Sequence, residues 1–456
     1  MKPALTENLE RALRANPRAK AAQLCAMLGI DQSTLSRALR KLSGKVVTLG
    51  KASRTRYSWH RTVRGYASEF PIYRIDRSGA GYHSGGIQCI YPSGTAVRLQ
   101  AELGWPADED MKDGWYEGLP YWLVDMKPQG FLGRNFAKRY AQMLHISDDP
   151  IAWSDDDILH ILATVGSDQA GNLILGDAAY EMFLQGSRRQ ESLMLDASHI
   201  EEAYPRLALE ALALGQTGSS AGGEFPKFTV CRTVDGEPRH AIVKFSGAGA
   251  SPAENRWADL LVCEHIALNC MREHLRVPAA RSMVYRYAGR TFLEIERFDR
   301  HGLLGRSEVC SLSSINAALV GSAETGWPAI SRSLRASGFL DEQQANVVDS
   351  SWWFGRLIGN SDMHLGNLSF VPGLVVAPAY DMLPMMYSPL RGGELPGAVY
   401  AMPEPLPRER GTWQKAAGAA VEYWRQCASD SRVSDGFRAV CKENSSLIER
   451  ELNSCR

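Results

Sequence analysis

The sequence predicts an α+β chain in three parts. A basic head of three helices and a hairpin spans 1–65, a β-rich lobe 66–299, and a helical lobe 300–456. Three observations predict it. Charge is lopsided: the first 65 residues hold 14 of the 51 Lys/Arg but 3 of the 51 Asp/Glu, a formal +11, and the remainder carries −11. Short apolar runs broken by Gly, Ser and Pro fill the middle. After Arg300 helical periodicity takes over, interrupted by one polar hairpin at Gly359–Asp381.

The head is read first. Leu5–Asn16 repeats apolar residues at Leu5, Leu9, Ala12 and Leu13, and Pro17 stops it. Lys20–Leu28 follows, with Leu24, Met27 and Leu28 on one face and Gly29 as the terminating residue. Asp31 or Ser33 caps a third helix, Gln32–Leu42, which turns Leu35, Ala38, Leu39 and Leu42 inward. That leaves Gln32, Ser33, Thr34, Ser36, Arg37, Arg40 and Lys41 facing out. VVTLGKASRTRYSW then alternates as a hairpin with Lys51, Arg54 and Arg56 near its tip. This order is that of a winged helix-turn-helix, in which early polar residues of the third helix reach base edges and later basic ones meet phosphates. DNA is the expected partner of residues 1–65, and docking of the head on the chain's own acidic body is a second use of the same charge. A winged head also suggests a homodimer on a palindrome.

Residues 66–145 read as a small β-rich unit, with Lys127–Gly130 and Gly133–Arg134 as a weak phosphate-loop signal. Ser154–Asp157 starts a helix, its acids suiting the helix dipole rather than a metal. The Gly/Ser stretch 215–230 brings Ser219, Ser220, Gly222 and Gly223 before a strand, a composition whose backbone N–H groups can close around phosphate oxygens. AIVKF, Ala241–Phe245, places Lys244 alone among apolar residues, so a buried Lys244 needs an anionic partner. Glu264, twenty residues on in the helix WADLLVCEHIAL, is at a plausible distance to be one. Val284–Tyr287 and Thr291–Glu296 form a hairpin that leads into Arg297 and Phe298.

The helical lobe is expected over Leu312–Leu319, Ile330–Ala336, Glu342–Ile358 and Gln414–Ala428. Within it, Leu368–Val371 and Leu374–Ala377 pair around Pro372–Gly373. Asp362, His364 and Asn367 stand before the first strand and Asp381 after the second. Asp362 and Asn367 are five apart and Asp381 follows fourteen later, the order of a protein kinase catalytic loop and metal-binding Asp. One carboxylate must take the proton of an attacking hydroxyl. An amide oxygen and a second carboxylate must hold Mg²⁺ on the phosphates.

Other classes are set aside by composition. MKPALTENLERALRAN has no apolar core, so it is no signal peptide, and no run of about eighteen apolar residues exists to span a membrane. Nine Cys without a CxxC pair read as reduced thiols in the cytoplasm.

SSAGGEFPK, IVKF, IERFDR, GNSDMHLGNLSF and APAYDM, taken in order, resemble the HipA-like serine/threonine kinases of bacterial toxin–antitoxin systems. With its fused head the chain is most similar to the YjjJ-type branch. The resemblance implies a two-lobed protein-kinase-like body using ATP and Mg²⁺. It implies Asp362 as catalytic base, Asn367 and Asp381 as metal ligands, and Lys244 as a phosphate contact paired with Glu264. Glu296 and Phe298 would line the adenine pocket, and His364 would join the nucleotide-binding set. It also implies a protein phosphoacceptor, with a translation component as the family's example, and autophosphorylation at Ser219 or Ser220. The loop departs from the family in reading GGEFPK in its second half. Two other functions fit the same residues. One is a DNA-binding regulator whose kinase-like body is a sensor. The other is a Mg²⁺-dependent enzyme acting on nucleic acid.

Overall fold

The computed structural model describes residues 3–65, 67–215, 225–397 and 400–454. It falls into two compact units: 1–75, 81–127 and 151–186 in the first, and 76–80, 128–150 and 187–456 in the second.

In the first unit, α1 (Pro3–Ala15), α2 (Ala21–Leu28) and α3 (Gln32–Lys41) precede strands β1 (Val46–Leu49) and β2 (Arg56–Trp59). Gly29 ends α2 in the left-handed region at φ 61°, and Asp31 caps α3 by accepting from the Thr34 N–H at 2.8 Å. Leu9, Leu13, Leu24, Leu35 and Ala38 meet Val46 and Trp59 in one core, so helical and strand periodicities bury the same interior. Met27, expected inward, is half exposed instead: the face of α2 that packs inward is narrower than its run of apolar residues.

The head is not a unit of its own. Val47 and Leu49 pack with Ile90, Ala96 and Trp115. Those three sit in or beside strands β3 (Glu69–Ile75), β4 (Gly81–Cys89), β5 (Thr95–Leu99) and β6 (Trp115–Tyr116), with a one-turn helix α4 (Glu109–Lys112) before β6. The sheet runs β6-β5-β4-β3-β7, the last strand (β7, Leu173–Leu175) arriving after helix α6 (Asp155–Val165). Ser154 and Asp157 close a capping box at the start of α6. Helix α5 (Gly130–Leu144) belongs to the second unit. It corrects the phosphate-loop signal: Gly133 lies inside the helix, where a Cβ would stand 2.6 Å from the Pro128 backbone. Helix α7 (Asp177–Leu193) follows β7.

In the second unit, helix α8 (Ile200–Gly215) precedes a four-stranded antiparallel sheet. Its order is β10-β11-β9-β8, from β8 (Lys227–Val234), β9 (Glu237–Phe245), β10 (Ser282–Tyr287) and β11 (Arg290–Glu296). Helix α9 (Pro252–Cys270) follows β9. Ser251 and Glu254 cap it reciprocally, Pro252 occupies its first turn, and most of its length is buried. The helical part holds α10 (Trp327–Ala336), α11 (Glu342–Leu357), α12 (Arg410–Ser429) and α13 (Asp435–Ser454). The last was not among the expected helices, although Phe437, Cys441 and Ile448 bury one face of it. The polar hairpin is β12 (Ser369–Val371) and β13 (Val375–Val376), shorter than expected.

Eight cysteines are free thiols and seven of these are buried; Cys455 lies outside the described residues. Among the described residues no helix is long and apolar enough to cross a membrane.

Candidate active site

Strand β9 supplies Lys244 and helix α9 supplies Glu264. Lys244 is 4% exposed and Glu264 is fully buried. The Lys244 Nζ donates to both Glu264 oxygens, at 2.7 and 2.8 Å, so the partner required for a buried lysine is the one expected. The same Nζ also donates to Asp381, 137 positions further along the chain. Burial works to lower the Lys244 pKa, but Asp381 and Glu264 outweigh it and hold the ammonium charged. Burial works to raise Asp381, yet Lys244 and then Lys227 hold it down at about 2. Glu264 moves the other way. Burial raises its proton affinity and Asp381 adds to this, with Lys244 opposing. The result is an ionised Asp381 held by a charged lysine beside a deeply buried carboxyl.

The loop before β12 is tied to Asp381 through Asn360. The buried Asn360 side chain accepts from the Asp362 N–H at 3.1 Å and donates to the Asp381 carbonyl at 3.1 Å. Asn367 donates its amide N–H to the Asp362 carbonyl at 2.7 Å, so the amide nitrogen is the end committed to the loop. The Asp362 carboxylate is on an exposed residue, open to an incoming hydroxyl. Asp381 itself sits at φ 52°, a backbone conformation unusual outside glycine.

These residues fit Mg²⁺ by chemistry. Asn367 offers a neutral oxygen and Asp381 a carboxylate that Lys244 and Lys227 keep ionised against the effect of burial. Among the described residues no three His, Cys, Asp or Glu side chains form a preformed metal cage. Magnesium in phosphoryl-transfer sites is usually held by one or two carboxylates together with substrate phosphates and water.

The nucleotide-binding expectations resolve unevenly. Ser219, Ser220, Gly222 and Gly223 lie outside the described residues. At the end of β11, Glu296 pairs with Arg239 at 3.1 Å. Its N–H donates to the Arg281 carbonyl, and that of Arg297 to the His240 carbonyl, both at 2.8 Å. Those two amides are therefore spent on the fold. The Phe298 ring lies 6.0 Å from Tyr380, 30° from parallel, and Tyr380 directly precedes Asp381. His364 caps the next turn through Nδ1, accepting from the Gly366 N–H at 3.1 Å.

Sequence reasoning missed Asn360 and Tyr380, although both stood in the quoted motifs GNSDMHLGNLSF and APAYDM. Lys227 pairs in register with Lys244 across β8 and β9, a neighbour relation visible only once the strands are aligned.

On the head, Gln32, Ser36, Arg37, Arg40 and Lys41 are exposed on α3. Ser33 and Thr34 point their hydroxyls back to the Asp31 carboxylate, at 2.6 and 3.1 Å, so these two serve the cap. Arg37 leans on its own helix through the Ser33 carbonyl and the Thr34 hydroxyl. Arg54 and Arg56 are ion-paired to Glu109, Asp113 and Asp110.

Two families match the chain: the YjjJ-like toxin middle domain over residues 66–184, and the HipA-like C-terminal domain over 219–444. Toxin YjjJ of Escherichia coli (strain K12) is 35% identical over 443 residues, covering 96% of each chain. A solved complex of the Shewanella oneidensis MR-1 toxin–antitoxin proteins HipA and HipB with operator DNA contains a similar chain. The TM-score is 0.51 at 16% identity, covering 84% of this chain and 97% of that one. The Helicobacter pylori proinflammatory kinase CtkA aligns over 52% of this chain and 93% of its own at 13% identity. Its TM-score of 0.35 is too low to bear on the fold.

Proposed function

The chain belongs to the HipA-like toxin family, and from that premise we propose that its second unit is an ATP- and Mg²⁺-dependent serine/threonine protein kinase whose head binds DNA. The observation that carries the kinase reading is the Lys244 ammonium between Glu264 and Asp381, with Asn360 tying Asp381 to the Asp362 loop. A lysine fixed by a buried glutamate, and a second carboxylate tied to a proton-accepting one, are the parts that phosphoryl transfer needs.

Lys244 would contact the nucleotide phosphates and Glu264 would hold its orientation. Phe298 and Tyr380 would wall the base, with Glu296 at the same edge. Asp362 would accept the proton of an acceptor seryl or threonyl hydroxyl. Asn367 and Asp381 would hold Mg²⁺, which when bound offsets charge on the phosphates. The acceptor is a protein, for which a translation component is the family's suggestion. The HipA neighbour was solved with HipB and operator DNA; here the proposed DNA-binding surface, α3 with the β1–β2 hairpin, is in the same chain. It would regulate in cis from the cytoplasm, as a homodimer on a palindrome.

The test is nucleotide binding by calorimetry with and without Mg²⁺, followed by mass spectrometry of a lysate treated with the protein and ATP. Mg²⁺-dependent ATP binding and new phosphoserine or phosphothreonine on a lysate protein support the proposal. ATP binding without any new phosphorylated site favours the sensor reading, and DNA cleavage with Mg²⁺ but without ATP favours the nuclease reading.

A further inference from the structure

The two hairpin arginines expected to touch DNA are already engaged, and their partners are carboxylates. Arg54 reaches Glu109 at 3.2 Å and Asp113 at 3.3 Å. Arg56 reaches Asp110 at 3.0 Å, and Arg18 approaches the same carboxylate at 3.7 Å. All three acids belong to ADEDMKD, the short segment around α4, and all lie in the same compact unit as the head.

The segment is fixed in place. Asp108 caps α4 by accepting from the Met111 N–H at 2.8 Å. Gly114 turns the chain at φ 90°, where a Cβ would fall 2.3 Å from the Val97 carbonyl oxygen. Trp115 then pairs with Ala96 and packs with Val47 and Leu49, the inner residues of the hairpin itself. Hairpin and acidic turn are thus anchored on one apolar cluster. By contrast, Gln32, Ser36, Arg37, Arg40 and Lys41 on α3 remain exposed.

We infer that the acidic turn Glu109–Asp113 occupies the phosphate-binding side of the hairpin and holds down the head's affinity for DNA. The inference rests on the DNA-binding reading of the head and adds its regulation. Carboxylates stand on the arginines where backbone phosphates would, so DNA must either displace them or bind through α3 alone. Phosphate neutralisation sets both affinity and its salt dependence, so masked arginines leave a readable signature.

The experiment measures binding of the full chain to a mixed-sequence DNA duplex of about 30 base pairs across a salt series. Four proteins form a cycle: wild type, Glu109→Gln/Asp110→Asn, Arg54→Ala/Arg56→Ala, and the quadruple variant. Asp113, nearly buried, is left alone, and near-UV circular dichroism checks that each protein keeps its packing. The acid-neutralised protein should bind about tenfold tighter, the scale of one or two surface ion pairs exchanged. Its log–log salt slope should steepen by about 1–2, one unit for each arginine released to a phosphate. In the quadruple variant the gain should disappear, and Arg54→Ala/Arg56→Ala alone should bind like wild type. Equal binding by wild type and the acid-neutralised protein overturns the inference, and so does a gain that survives loss of the two arginines. If Arg54→Ala/Arg56→Ala alone weakens binding tenfold, the arginines already hold DNA and the inference also fails. An Arg37→Ala/Arg40→Ala control separates the two levels. If no protein in the set binds, or if this control binds like wild type, the DNA-binding reading itself falls and takes the inference with it.

Discussion

Replacing Lys244 by Met should destabilise the second unit far more than replacing Glu264 by Gln, although each substitution breaks the same ion pair. In Lys244→Met, Glu264 and Asp381 lose the cation between them. Carboxylate oxygens that both contacted one nitrogen lie at most about 5 Å apart, and like charges at that distance repel by about 3 kcal/mol at an effective dielectric constant of 20. Uncompensated burial adds to this, for a loss of about 3–5 kcal/mol at pH 7.5. In Glu264→Gln, Lys244 keeps Asp381, and the amide oxygen still accepts a hydrogen bond, so the loss should be about 1 kcal/mol. Urea unfolding of the full chain, followed by near-UV circular dichroism, reads both. The pH dependence has a fixed sign. Without Lys244 the two carboxyls have folded pKa values above their unfolded ones, so stability falls as pH rises through that interval and recovers toward pH 4. Equal losses for the two variants, or a Lys244→Met deficit that does not shrink in acid, would refute the claim that one lysine offsets two carboxylates, one fully buried and one partly exposed.

Three other outcomes are expected. Asn360→Ala removes the acceptor for the Asp362 N–H and the donor to the Asp381 carbonyl. It should cost about 1–3 kcal/mol in unfolding. Phosphoryl-transfer kcat should fall about 100-fold with a smaller change in KM for ATP, as misplaced reacting groups require; an unchanged kcat would deny Asn360 its positioning role. Asp349, on α11, is raised to about 6 by burial. The folded state keeps its proton between about pH 4 and 6 while the unfolded chain releases it, so stability falls as pH rises through that window. Asp349→Asn should therefore stabilise by about 1–2 kcal/mol at pH 8, allowing for partial exposure, and by nothing at pH 4. His265 is lowered to about 4 by burial and then by Arg432 and Arg272, and its neutral ring bonds Ser282 and Asn269. Its contribution is present above pH 6.5 and lost as pH falls from there to 4, so His265→Gln should flatten that part of the unfolding profile.

How much of this was legible in the chain depends on distance along it. Leu9, Leu13, Leu24, Leu35 and Ala38 announced the head's core because each lies on a periodic helix face. Lys244 and Glu264 could be paired from the sequence because a charged residue in an apolar strand demands a partner, and a helix twenty residues on offered one. The third member, Asp381, is expected from the sequence as a metal ligand but not as a partner of Lys244, because no local rule joins residues 137 apart. The same limit hid the hairpin arginines' partners. Their charge was plain, and docking on acidic residues of the chain was one expected use, but only the folded sheet shows that Glu109, Asp110 and Asp113 are the acids used. Lys127–Arg134 misled for a different reason. Two glycines near basic residues look like a phosphate loop, but Gly133 is there to let a helix approach the Pro128 backbone.

The proposed activity is phosphoryl transfer from ATP by Asp362 and the Lys244–Glu264–Asp381 group. Its most direct test is incorporation of radiolabelled γ-phosphate with Mg²⁺ by wild type and Asp362→Asn, each alone and in cell lysate, with ATP affinity measured alongside. Label is expected on a lysate protein, or on the chain's own Ser219–Ser220 region. That label should be lost in Asp362→Asn while ATP binding is retained. No label from the wild type despite measurable ATP binding, or equal label from both proteins, would contradict it.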